Sequence, residues 1–134
     1  MKDAIVAFFL VIFAWPICTA DAEVIKWDCN YPIFTSLDGL QKTSKTFAFK
    51  INLDTIVRKA FIEGSIGLSE LMIHAGTDSI SFMEKLASGA VQTTTINIDT
   101  GESIHSRNTI LRDYKNNKKV FVASQYFGNC KRLR

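Results

Sequence analysis

Between Ser44 and Leu53 (SKTFAFKINL) apolar and polar residues alternate one by one. Phe47, Phe49, Ile51 and Leu53 fall on one side and Thr46, Ala48, Lys50 and Asn52 on the other, the period of a half-buried strand. Glu23–Asn30 alternates too, with Ile25, Trp27 and Cys29 on one face. Tyr31–Lys42 contains Pro32 and Asp38-Gly39 and reads as a loop. Lys59–Glu63 is a short strand between Asp54-Thr55 and a glycine-bounded turn at Gly64–Gly67. Leu68–Ala75 would accommodate one helical turn through Leu68, Leu71 and Met72. Gly67 and Gly76 bracket it at strand length, so a strand with Leu71, Ile73 and Ala75 inward is expected.

The best-patterned stretch is Ser79–Leu111. It reads as three antiparallel strands joined at Ser88-Gly89 and at Asp99-Thr100-Gly101, where glycine supplies the positive φ that short hairpin loops use. Thr93, Thr94, Thr95, Ile96 and Ile98 give the middle strand its β-branched density, and the same residues make a poor helix. Asp113–Lys118 is a polar loop and Lys119–Phe127 a last strand. The expected fold is all-β: an antiparallel up-and-down meander of about eight strands. Its apolar face has to be covered, by curling into a small barrel or folding over as a sandwich.

The N-terminus departs from this pattern. Met1-Lys2 precedes an unbroken apolar run from Ala4 to Trp15, and Ala20-Asp21-Ala22 is a small-x-small cleavage signal. Residues 1–22 read as a secretory signal peptide. The run is short for a membrane anchor, and Cys18 lacks the small preceding residue of a lipid attachment site. The expected organisation is a signal peptide over 1–22 and a single β domain over 23–134, periplasmic or secreted, with no transmembrane segment after cleavage. Cleavage after Ala22 leaves 112 residues and a surplus of four positive charges. It also removes Cys18, leaving Cys29 and Cys130 as a pair at the two ends of the domain. In an oxidising compartment these pair as a disulfide that ties the termini. The mild basicity includes Lys131, Arg132 and Arg134, and with no recognised binding module it does not point to nucleic acid.

Candidate chemistry follows from strand register. Placing Ile98 opposite Glu102, Leu86 opposite Ala90 and Arg112 opposite Lys119 puts one set of residues on the apolar side of the sheet. That set includes Ile80, Phe82, Ile96, Ile104 and Phe127, with a polar belt among them: Glu84, Gln92, Thr94, Ser106, Asn108 and Gln125. Six buried polar groups cost a few kcal/mol each unless they are hydrogen-bonded. They form a self-satisfied network, line a wet barrel mouth, or hold a small ligand. The opposite face carries His105, Arg107 and Tyr126, either as an ordinary solvated surface or as a site for an anion or a partner protein.

Catalysis is harder to build. His105 and Ser106 are adjacent and point to opposite sides of a strand, so they cannot form a nucleophile–base pair. His74 is expected outward, and two histidines without an acidic cluster do not make a zinc site. No metal or other cofactor is expected. Glu84 is the one carboxyl placed inward, and burial would raise its pKa.

SGAVQTTTI (Ser88–Ile96), IHSRNT (Ile104–Thr109) and SQYFGNC (Ser124–Cys130) resemble a pattern in small secreted bacterial proteins of unknown function. The resemblance spans about the last third of the chain. It implies an exported bacterial protein and carries no site residues with it. The first expectation is a β-barrel-like module that binds a small amphipathic or polar molecule through the polar belt. The alternatives are an interaction or envelope-associated module using the His105/Arg107/Tyr126 face, and a small hydrolase or isomerase using Glu84.

Overall fold

The structure, a computed structural model, describes residues 23–65, 67–113 and 115–133. The signal peptide expected over 1–22 lies outside them. Alternation becomes strand throughout: β1 (Val24–Ser36), β2 (Gly39–Asp54), β3 (Lys59–Gly64), β4 (Gly67–Ala75), β5 (Ser79–Lys85), β6 (Val91–Asn97), β7 (Glu102–Asp113) and β8 (Lys118–Leu133). Each strand pairs antiparallel with the next, and β8 returns to pair with β1, so the eight strands close a barrel. Closure leaves no free edge along the shared length of the strands.

One segment differs from expectation. Tyr31–Lys42 is a hairpin, not a loop: β1 continues to Ser36, and β2 begins at Gly39, whose φ is +95°. Pro32, which has no N–H to give, sits where the register shifts between Tyr31 and Ile33. A bulge is one of the few places a sheet accepts proline. The turn signal at Asp38-Gly39 is real, but Pro32 hides the strand that leads into it.

The barrel interior is filled from one end. Ile51, Phe82 and Ile96 are almost wholly buried, with Ala60, Leu71 and Ile80 beside them. Each large side chain so buried contributes about 1.5–3 kcal/mol. Trp27 meets Phe82 edge-on at 5.5 Å between ring centres. Cys29 and Cys130 are paired across the β1–β8 seam and bonded as a disulfide spanning 101 residues of sequence. Beside it, the Tyr31 hydroxyl donates to Ser103 Oγ at 2.8 Å, and Ser103 donates to the Thr95 carbonyl at 2.9 Å. Burial pushes the Tyr31 pKa up to about 12, partly opposed by the bond to Ser103. The hydroxyl therefore stays protonated as a donor.

The strands are unequal. β1, β2, β7 and β8 have 13, 16, 12 and 16 residues, whereas β3, β5 and β6 have 6, 7 and 7. The β2–β3 ladder starts only at Lys50↔Glu63, and the β6–β7 ladder stops at Gln92↔Arg107. The β1–β2 and β7–β8 hairpins therefore rise past their neighbours and form a tall wall on one side of the barrel.

At the seam, β8 passes so close to β1 that only glycine fits. A Cβ on Gly128 would run into the Asn30 carbonyl and the Tyr31 backbone. Gly64, in contrast, has open space around it and an ordinary φ. Gly128→Ala is expected to destabilise at the upper end of the roughly 1–3 kcal/mol typical of overpacking, on the order of 10 °C in Tm. Gly64→Ala should leave Tm nearly unchanged; thermal unfolding of both variants checks the pair.

Candidate functional site

Which side chains line the interior is decided at the β6–β7 turn. Asn97 starts that turn: its side-chain carbonyl accepts from the Asp99 and Thr100 amides at 2.9 and 3.0 Å, and its backbone carbonyl accepts from the Gly101 amide at 2.9 Å. An Asx residue holding its own turn is a recurrent device. Gly101 has φ +76°, and Ile96 then faces Ser103. The expected pairing of Ile98 with Glu102 differs from this by one residue. The other two registers are as expected, with Ile80 opposite Ile96 and Arg112 opposite Lys119. A slip of one residue reverses every side chain beyond it, and so β7 and β8 are turned over relative to the expected map.

The polar belt is thereby corrected. Gln92 and Thr94 are buried inside, and Glu84 lines the interior at its open end. Gln125 and Asn108 are exposed on the outside, with half-buried Ser106. They lie along a shallow groove near Thr35. His105, Arg107 and Tyr126 were expected on an outer face. Instead His105 is 2% exposed and Arg107 lines the interior cavity. Tyr126 packs against the core.

The registers stack the interior in rows. Phe82, Thr94, His105 and Tyr126 are successive cross-strand neighbours on β5 to β8. One row nearer the open end come Glu84, Gln92 and Arg107. That row borders a cavity of about 340 Å³, with Phe47, Phe49 and the edge of His105 as its floor and Ile62 and Leu86 on its sides. From strand alternation alone, Phe47 and Phe49 are core positions. Nothing in their own strand marks them as a floor, because the emptiness above them is set by how short β3 to β6 are.

His105 sits in an aromatic box. The Phe49, Phe47, Tyr31 and Tyr126 ring centres lie 5.2, 5.3, 5.9 and 6.0 Å from its own. Its Nδ1 is 2.8 Å from Thr94 Oγ1, and its Nε2 is buried without a polar partner. The arrangement that keeps the Thr94 bond and a neutral ring has Thr94 donating to Nδ1 and the ring hydrogen on Nε2, among the aromatic rings. Arg107 lies over two of the same rings, 5.8 Å from the Phe47 centre and 6.0 Å from that of Tyr126. Cation–π attraction holds the guanidinium there. Burial, with the nearby Arg107 charge adding to it, pushes the His105 pKa down to about 4. The imidazole is neutral at physiological pH. Its ring is part of the cavity floor, with Nδ1 bonded to Thr94 and Nε2 left without a polar partner.

Arg107 and Glu84 are two strands apart, about 10 Å between backbones, and no ion pair joins them among the described residues. The cavity therefore presents an opposite charge on each side of the Gln92 amide. Among the described residues, no group of three or more His, Cys, Asp and Glu side chains gathers as a metal site. Compared with known family models, curated proteins and solved structures, the chain matches none.

The buried imidazole has a consequence for stability. Its pKa falls from 6.5 to about 4 on folding, so the unfolded chain binds more protons between those values. The contribution is fully present above pH 6.5 and is lost as pH falls towards 4, in total about 3 kcal/mol. Denaturant unfolding at pH 7.5 and pH 4 should show a loss of this order. His105→Gln should lose markedly less over the same interval.

Proposed function

We propose that this chain is an exported binding barrel, periplasmic or secreted, that holds a small amphipathic or polar molecule in its open end. The observation that carries this reading is the row Glu84–Gln92–Arg107 on the wall of a cavity of about 340 Å³ floored by aromatic rings. That volume lies at the small end of the range for small-molecule sites. A mostly apolar wall with a few converging polar groups is their usual make-up. Apolar area supplies the drive to leave water, and the polar row sets orientation. A carboxylate or similar oxyanion suits Arg107, whose fork of donors favours planar acceptors. A donor group on the same molecule suits Glu84.

Export is supported by the apolar N-terminal run with its small-x-small site. The Cys29–Cys130 disulfide adds to this, being of a kind that persists in oxidising compartments. The interaction-face alternative loses its residues, since His105 and Tyr126 point inward. The acid–base alternative at Glu84 has no specific observation in its favour.

Native mass spectrometry of protein purified from its own source tests the binding reading. A non-covalent small-molecule adduct is expected, together with thermal stabilisation by a matching member of a panel of small carboxylates and zwitterions. Arg107→Leu should weaken that binding at least about tenfold, the loss of one charge-assisted contact, while Gln125→Ala on the outside changes nothing. The reading fails if no adduct is present and no panel member shifts Tm. It fails equally if Arg107→Leu binds as wild type.

A further inference from the structure

The tall wall ends in two tips, one at the β1–β2 turn and one at the β7–β8 turn, beside the mouth of the cavity. The tips carry apolar side chains that the barrel does not use. Leu37 is 88% exposed, Leu40 73% and Phe121 79%. In the β7–β8 hairpin, Ile110 faces Phe121 and the next pair is Leu111 with Val120. Adjacent residues of a strand point to opposite sides, so both faces of this ribbon carry an apolar pair. All four of these side chains are more than a third exposed.

Charge is concentrated in the same place. Lys42 and Lys45 follow the first tip, and Arg112, Lys115, Lys118 and Lys119 surround the second, against only Asp38 and Asp113. All six basic residues are exposed, and none is in an ion pair among the described residues. Their surplus of four equals the surplus of the whole of residues 23–134, so the rest of the domain is electrically balanced.

We propose that the two hairpin tips dock into the interface of an anionic lipid surface, with Phe121, Leu37 and Leu40 entering the headgroup–acyl boundary and the lysines meeting lipid phosphates. A protein partner or a second copy of the chain would cover one face of a ribbon. Apolar side chains on both faces call for surroundings that enclose the tip, and an interface does this. In the β7–β8 hairpin the basic residues lie at the end of the ribbon, next to the exposed Leu111/Val120 and Ile110/Phe121 pairs, and basic residues beside exposed apolar ones are the combination that anionic membrane surfaces attract. β1 has two neighbours as far as Thr35, but β2 in the first tip and both strands of the second have one each, and their free backbone groups meet water and headgroups at the interface, not the hydrocarbon, where they would be left unpaired. Docked in this way, the cavity mouth faces the lipid surface.

The test is co-sedimentation of the full chain with phosphatidylcholine vesicles and with vesicles in which phosphatidylglycerol replaces part of the phosphatidylcholine. Binding to the anionic vesicles only, or much more strongly, is expected. The triple variant Lys115→Glu, Lys118→Glu, Lys119→Glu should weaken it at least about tenfold, since several charges near one surface act together. Leu111→Ser with Phe121→Ser should weaken it as well, both variants keeping the wild-type Tm. Because every protein shares the same N-terminus, binding that survives both sets of substitutions comes from elsewhere in the chain and overturns the proposal. Phe121→Trp, which keeps the aromatic surface, is a second measurement: brominated lipid should quench it beyond the wild-type tryptophans. Absence of that extra quenching overturns the proposal. So does self-association that Phe121→Ser abolishes, which would give the face to a second copy.

Discussion

The hydrogen bonds that Asn97 accepts from the Asp99, Thr100 and Gly101 amides decide what the inside of this barrel is made of. They set the β6–β7 turn, and the turn sets the parity of β7 and β8. With that parity, Ser103, His105 and Arg107 point inward and Ile104, Ser106 and Asn108 outward. A turn one residue tighter would place two large apolar residues, Ile104 and Phe127, in the interior and move the guanidinium to the surface. The fold would still be a meander, but the cavity would have no cation and the aromatic box no imidazole to surround.

Towards the mouth, the interior changes from apolar and internally hydrogen-bonded groups to charge. Phe82 shares its row with the hydrogen-bonded Thr94 and His105, Ile96 faces Ser103 with its bond to Tyr31, and Glu84, Gln92 and Arg107 line the last row before the mouth. This order follows from desolvation. Apolar groups gain by full burial, hydroxyl and imidazole groups tolerate it when paired, and charges keep access to water. The gradient places the groups with unmet bonding capacity at the end that is open to solvent.

Much of the architecture could be read from side-chain alternation. The eight strands, the antiparallel order, the Cys29–Cys130 pair and two of the three tested registers follow from patterns of period two and from turn residues. The hairpin at Tyr31–Lys42 was masked by Pro32, because proline signals a break whether it ends a strand or sits in a bulge. The site was half legible. Glu84, Gln92 and Thr94 precede the β6–β7 turn and face as expected, whereas Ser106, Asn108 and Gln125 follow it and do not. The missing signal was local: Asn97, placed four residues before Gly101, marks where the turn begins. The cavity itself could not be read at all, since it arises from the difference in length between distant strands, which no single stretch of sequence displays.

The disulfide joins β1 to β8 at the end of the barrel opposite the mouth, with Cys130 also donating its amide to Gly101. Beyond the bulge, the seam between these strands is held only by the pairs from Ile33↔Phe127 to Thr35↔Gln125. Separation of the two strands therefore begins at the rim and halts at the covalent staple. The rim is a split collar on a rigid cup: parting it costs only a few backbone hydrogen bonds, while the chain topology and the packed base stay as they were.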